Sequence, residues 1–168
     1  MVRIYILLIT VFLGFQAFSA KFKDNFVSYF ASIKSSEVNV RKGPNTRYPI
    51  EWVYTKKGEP IEVIAQFEHW LRIKDFNGDE GWIKTAMASK KRTGIIVTNS
   101  SGKKQTNSYA KVYEIPEVAS KIIGNIASSK RVNINKCNKN WCLIKVADFE
   151  GWVEKQHIWG VYGSEEFK

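Results

Sequence analysis

Trp70-Leu71-Arg72-Ile73-Lys74 returns as Trp141-Cys142-Leu143-Ile144-Lys145, and Gly81-Trp82-Ile83 returns as Gly151-Trp152-Val153. The first pair is offset by 71 residues and the second by 70, so a single deletion in the loop between them reconciles the two. Upstream, Ile61 and Val63 match Val132 and Ile134 at the same offset of 71. The chain is therefore two copies of one unit of about 70 residues, and a unit that small is one supersecondary block with a modest core.

Each copy reads as short strands. Leu71 and Ile73, and likewise Ile61, Val63 and Ala65, alternate with other residues at a period of two, the pattern of half-buried β-structure. No stretch after the first twenty residues keeps a helical period over ten residues. Asn77-Gly78, between Leu71–Phe76 and Gly81–Lys84, predicts a hairpin with a primed turn, because both residue types tolerate positive φ; Gly58 and Gly43-Pro44 punctuate the earlier strands. Five or so strands in some 60 residues are too few for a sandwich, so the expected fold is all-β, two tandem small barrels that hide their edges by partial closure. The first is expected over 26–90 and the second over 91–162, with a polar loop at 99–108 following a strand at Thr93–Thr98. The repeated tryptophans Trp70, Trp82, Trp141 and Trp152 are expected in the barrel cores, since structural positions are what a repeat must keep.

The chain has 168 residues, with 26 Lys and Arg against 16 Asp and Glu, a net charge of +10 that favours anionic partners. Its 44% hydrophobic and 25% charged composition excludes wholesale disorder. Met1-Val2-Arg3, the apolar run Ile4–Phe15, and Ala17 and Ser19 at alternate positions read as a secretory signal peptide over 1–19, cleaved near Ser19/Ala20. The run is shorter than the roughly 20 residues of a spanning helix, so no transmembrane anchor is expected after cleavage. Export to the periplasm or the extracellular space makes envelope polyanions the expected counterpart and removes nucleic acid from the expected partners; a cytoplasmic location would restore RNA binding as a contender.

Val38-Asn39-Val40-Arg41-Lys42-Gly43-Pro44, with Gly58 and then Gly81-Trp82-Ile83 downstream, resembles the bacterial SH3 (SH3b) domain, whose first repeat commonly reads Asn-x-Arg-x-Gly-Pro. Arg47-Tyr48-Pro49-Ile50, the segment Cys137–Cys142 and Trp159-Gly160-Val161-Tyr162 extend the resemblance to exported tandem SH3b proteins over nearly all of the chain beyond the leader. The resemblance implies two SH3-like barrels and an extracytoplasmic location. In the second copy Gly43-Pro44 is replaced by Ile115-Pro116, and the Asn-x-Arg positions read Lys111-Val112-Tyr113.

Cys137 and Cys142 flank an expected turn at Asn138–Asn140 in an exported chain, and a disulfide is the simplest account. Directly opposed residues of a non-hydrogen-bonded antiparallel pair lie about 4.5 Å apart at Cα, within a disulfide's span. His69 and His157 have no companions at metal-site spacing, and the carboxylates Asp75, Asp79, Glu80, Asp148 and Glu150 cluster at hairpin turns. No residue set fills nucleophile, base and orienting roles together, so no enzyme activity, cofactor or metal is expected. The remaining lead is aromatic. Trp52 and Tyr54 alternate and share a face, and Tyr48 precedes them beside Arg41 and Arg47. These five residues are the candidate ligand-binding shelf, with rings to stack and guanidinium groups to take carboxylates; cover for the interface between the barrels is the competing reading. The expected function is a non-catalytic exported module that recognises peptidoglycan peptide or another envelope polymer, the alternative being an adaptor that docks an acidic envelope protein.

Overall fold

The computed structural model describes residues 25–98 and 108–168. The leader at 1–19 and most of the polar loop at 99–108 lie outside the described residues. Unit one consists of β1 (Tyr29–Ile33), β2 (Val38–Arg41), β3 (Ile50–Tyr54), β4 (Pro60–Phe67), β5 (Trp70–Lys74), β6 (Glu80–Lys84), a 3-10 turn at Thr85–Met87 and β7 (Ala88–Ser89). Unit two repeats the series as β8 (Thr93–Ile96), β9 (Tyr109–Tyr113), β10 (Ile122–Ala127), β11 (Arg131–Cys137), β12 (Trp141–Val146), β13 (Phe149–Glu154), a 3-10 turn at Lys155–His157 and β14 (Ile158–Trp159). Both form one seven-stranded sheet with the same order, β3-β2-β6-β5-β4-β1-β7 and β10-β9-β13-β12-β11-β8-β14. The fold is all-β and SH3-like, an open ladder wrapped around its own core rather than a closed barrel.

The cores follow from the period-two pattern. Ile33, Val40, Ile61, Val63, Ile73 and Ile83 are fully buried in unit one, and Ile96, Val112, Cys142, Ile144 and Val153 in unit two. Gly81 allows the ladder to bend across itself. A Cβ there would lie 2.4 Å from Val40 Cγ1 and 3.3 Å from the Arg41 carbonyl. Gly151 meets Val112 Cγ1 and the Tyr113 carbonyl at 2.4 and 3.2 Å. Only a residue without a side chain lets β6 pass under β2, where the two strands share the single pair Arg41–Trp82.

The same alternation sets the face of the repeated tryptophans. Trp70, Trp82 and Trp141 are buried and Trp152 is half-buried, but none belongs to the aliphatic clusters. Trp70 directly precedes core residue Leu71 and Trp82 directly precedes Ile83, so each lies on the opposite face of its strand. Trp70, Trp82 and Trp141 are part of the buried apolar interior, packed on the face opposite the aliphatic clusters; in unit two Trp141 packs edge-on against Tyr113, ring centroids 5.1 Å apart.

The turn at Asn77-Gly78 also departs from expectation. Only Gly78 has positive φ, +92°, and the loop has three residues between the paired Asp75 and Asp79. Asp75 Oδ1 accepts the N–H groups of Asn77 and Asp79, at 2.8 and 3.0 Å, which favours the three-residue turn over the primed pair. In unit two the matching turn is the two residues Ala147 and Asp148, between paired Val146 and Phe149. That one-residue difference is the source of the step from 71 to 70 in the repeat.

Cys137 and Cys142 are directly opposed and joined by a disulfide, Cα atoms 4.1 Å apart. Beyond Tyr162 the chain folds back onto unit two. Phe167 and Cys137 exchange backbone hydrogen bonds of 2.9 and 3.0 Å, and the Phe167 ring packs on the core beneath the Arg92 guanidinium. Arg92 also forms an ion pair with Glu165. Lys155 is buried, and its ammonium donates to the carbonyls of Lys139, Gly163 and Glu165 at 3.0, 3.1 and 2.7 Å, which matches its three N–H groups to three acceptors.

The two units meet through rings outside the expected shelf. Phe30 of β1 packs against Trp159 and Tyr162, at 5.3 and 4.7 Å between centroids, and Phe76 against Trp159 at 5.6 Å. Around them, the Tyr162 hydroxyl donates to Glu62 at 2.9 Å, Lys74 pairs with Glu62 at 2.7 Å, and Arg131 pairs with Glu59 at 2.6 Å.

Candidate functional site

The loop between β2 and β3 carries the most exposed of the candidate residues. Its shape is set by backbone hydrogen bonds from Asn45 N–H to Gly43, Tyr48 N–H to Asn45 and Lys42 N–H to Pro49, at 2.9, 3.2 and 3.1 Å. Asn45 Oδ1 accepts the Arg47 N–H at 3.0 Å. Tyr48 lies over Gly43 so closely that a Cβ at position 43 would meet its ring carbons at 2.7 Å. Arg41 at the end of β2 donates from Nη1 to the Tyr48 carbonyl at 2.7 Å. The result is Tyr48 46% exposed, preceded by exposed Arg47, with Arg41 bound to its backbone and exposed Ile50 beginning β3.

Trp52 and Tyr54 share a face, their rings edge-on at 6.3 Å, but that face is turned to the core. The register decides it. Trp52 is paired with Val40 and Tyr54 with Val38, and paired residues of an antiparallel ladder lie on one face. Both valines are buried, so both rings cap the interior, each half-exposed. The five residues thus divide into Arg41, Arg47 and Tyr48 on the loop surface and Trp52 and Tyr54 against the core.

Tyr54 also lines a groove of about 380 Å³, with Lys56, Glu59, Asp75, Phe76 and Ile95 of unit two around it. Among the described residues its buried hydroxyl has no hydrogen-bond partner of good geometry. Burial, reinforced by the Asp75 carboxylate, pushes its ionisation well above the ordinary tyrosine range.

The matching loop in unit two has the same backbone. Glu117 N–H donates to Ile115, Ser120 N–H to Glu117 and Glu114 N–H to Lys121, at 2.8, 3.1 and 3.0 Å. Its side chains are different: Tyr113, Ala119 and Ser120 stand in place of Arg41, Arg47 and Tyr48. Ile115 stands where Gly43 does, and this is compensated, because small Ser120 leaves the room that Tyr48 takes in unit one and its Oγ accepts the Ile115 N–H at 3.1 Å. The aromatic and guanidinium surface belongs to unit one alone.

The model for the bacterial SH3 domain matches residues 34–90 and again 107–160. The chain belongs to the bacterial SH3 domain family. A protein of Bacillus subtilis (strain 168) named as an N-acetylmuramoyl-L-alanine amidase, YrvJ, is 25% identical over 132 residues, which are 76% of this chain and 25% of that protein. The chain thus spans about a quarter of the length of this relative. Among solved structures, NlpC2 from Trichomonas vaginalis is 13% identical with a TM-score of 0.34, over 79% of this chain and 48% of that one. An NlpC/P60 family protein from Bacillus cereus is 12% identical with a TM-score of 0.33, over 77% and 55% of the two chains. At these scores neither superposition bears on function.

Sequence reasoning missed the ring cluster that joins the units and the buried cation that holds the tail of unit two. Phe30 reads as one more strand residue, and Lys155 as a solvated charge; the three carbonyls that hold it are brought together only by the folded tail. Among the described residues no helix is long and apolar enough to cross a membrane.

Proposed function

We propose that this protein is a non-catalytic exported binding module that recognises peptidoglycan peptide or another cell-envelope polymer through the β2–β3 loop of unit one. The observation that carries the reading is Tyr48, a stacking ring held on Gly43, with Arg41 bonded to its carbonyl and exposed Arg47 preceding it in the loop, in a bacterial SH3 domain. A ring held by its backbone needs little ordering on binding, and guanidinium forks suit the carboxylates of a wall peptide. The similarity to part of a protein named as an amidase supports a wall setting. Trp52 and Tyr54 face the core of unit one.

The test is retention on purified cell-wall sacculi, washed at about 0.3 M salt, where the screening length falls to roughly 5–6 Å and diffuse attraction of a basic protein is lost. Retention is expected for the parent and expected to fall in Arg47→Ala and Tyr48→Ser. Both variants install what unit two already carries on the same backbone, so loss of binding is not loss of fold. Trp52→Ala is a poor probe because it opens the core. Failure of the parent to bind, or equal binding by both variants, overturns the reading.

A further inference from the structure

The disulfide of unit two closes the β11–β12 hairpin, and the end of a hairpin is ordinarily open to solvent. Here it is buried, with Cys137 3% and Cys142 0% exposed. On one side the sheet covers it, since Cys142 is paired with Val153 and both cysteines belong to the interior cluster. On the other side lies the segment 162–168. Phe167 forms an antiparallel bridge to Cys137, exchanging two backbone hydrogen bonds with it, and its ring packs on the cluster that contains both cysteines.

The segment is fastened by side chains that belong to other parts of the unit. The Arg92 guanidinium pairs with Glu165 and lies 4.7 Å from the centre of the Phe167 ring, and Tyr162 N–H donates to Glu165 Oε2 at 3.2 Å. The Lys155 ammonium holds the carbonyls of Gly163 and Glu165. The apolar part of this hold is the Phe167 ring; Gly163, Ser164, Glu166 and Lys168 are exposed. A segment with one apolar anchor and exposed neighbours opens at a lower free energy than the sheet beneath it. The two covers of the disulfide therefore differ in strength, and the segment is the weaker one.

We propose that the Cys137–Cys142 disulfide is a thiol-exchange site gated by the segment 162–168, which a dithiol reaches once the segment lifts while the sheet stays folded. A thiolate of the dithiol attacks one cysteine sulfur and breaks the S–S bond, leaving a mixed disulfide and one cysteine thiolate, which takes up a proton. The second thiolate of the dithiol then displaces the other cysteine. The dithiol leaves oxidised to its disulfide, and the two cysteines are reduced. The proposal is independent of polymer binding by the β2–β3 loop.

The probe is excess dithiothreitol added to the full chain, with samples quenched by iodoacetamide and the two added labels read by mass spectrometry. Phe167→Ala is expected to be reduced about tenfold faster than the parent, roughly the worth of one lost ring contact. Glu165→Gln, which keeps the shape and removes the charge facing Arg92, is expected to be faster by a smaller factor. Gly151→Ala is the control. Its added Cβ would lie 2.4 Å from Val112 Cγ1, so it weakens the sheet of unit two without touching the segment, and it is expected to be reduced at the parent rate. In urea below the unfolding transition the parent rate should rise with a slope well under the equilibrium slope, because lifting a short segment exposes little surface. Parent rates in both Phe167→Ala and Glu165→Gln overturn the proposal. So does acceleration by Gly151→Ala equal to that by Phe167→Ala, or a urea slope equal to that of full unfolding, since either places exchange in the unfolded unit.

Discussion

Gly81→Ala tests the crossing on which the unit depends. The added methyl would lie 2.4 Å from Val40 Cγ1, with Trp52 Cη2 at 3.1 Å and the Arg41 carbonyl at 3.3 Å. Ordinary carbon contacts fall at about 3.5–4.0 Å, so the nearest clash is roughly 1 Å deep. Val40 is fully buried and Arg41 O is backbone, so neither yields freely. Overpacking of this kind costs about 1–3 kcal/mol, and the lower entropy of an unfolded chain with alanine returns about 0.4–1 kcal/mol. The middle of each range gives an expected net loss of about 1.3 kcal/mol. Gly163→Ala is the control, since a Cβ there meets nothing within 4 Å, and it is expected to be neutral or slightly stabilising. Urea unfolding followed by tryptophan fluorescence measures both, with an unchanged slope showing that stability and not compactness has moved. Val40→Ala removes the clashing methyl, so the cost of Val40→Ala with Gly81→Ala should be less than the sum of the single costs. If Gly81→Ala is as stable as Gly163→Ala, or if the two costs simply add, the account of the crossing is wrong.

Reducing the disulfide, or Cys137→Ser with Cys142→Ser, should cost unit two about 2 kcal/mol in the same urea assay, the chain-entropy value for so short a loop, and should leave unit one unaffected. Burial raises the Glu165 carboxyl, but its hydrogen bonds from Arg92 and the Tyr162 N–H and the Arg92 charge outweigh that and hold it below the ordinary range. A lowered folded value means that the pair stabilises above the unfolded carboxylate range and that its contribution disappears as pH falls through the folded value. The gap in urea midpoint between the parent and Glu165→Gln should therefore be open at neutral pH and close in acid; a gap that is constant with pH refutes it. Tyr54 is raised by burial and the Asp75 carboxylate, and Tyr162 by burial and its hydrogen bond to Glu62, so in ultraviolet titration both should stay silent through the usual phenol range near about pH 10. Among the described residues the Tyr54 hydroxyl meets no partner of good geometry, the Trp52 indole N–H being at most a weak donor to it, so Tyr54→Phe should leave stability equal or slightly higher.

The duplicated unit was legible because its matches keep residue order and offset, and the bent sheet followed from strand number and length. The faces of the tryptophans were legible too, since Trp70 and Leu71 are neighbours and cannot point the same way in a strand. Recurrence in both copies marked buried positions, and Trp70, Trp82 and Trp141 are buried. The division of the candidate shelf was not legible. Alternation showed that Trp52 and Tyr54 share a face, but which face depends on pairing with Val38 and Val40, a long-range register set by the loop and its bulge. The partners of Lys155, and the Phe30, Trp159 and Tyr162 cluster, join residues far apart in the chain and leave no periodic trace.

The two loops after β2 and β9 separate what the fold requires from what it carries. Their backbone hydrogen bonds correspond one for one, although Gly43 becomes Ile115, Arg47 becomes Ala119 and Tyr48 becomes Ser120. None of the unit-one side chains is therefore needed to make the loop. Tyr113, in place of Arg41, is buried and packed edge-on against Trp141, a structural use of the position that Arg41 does not share. Gly43 is needed only because Tyr48 lies on it, so the Gly-Pro motif serves to present that ring and not to form the turn. A surface that the fold can do without, held in place by a glycine that serves nothing else, is where a binding role is best sought, and it is present in only one of two docked units.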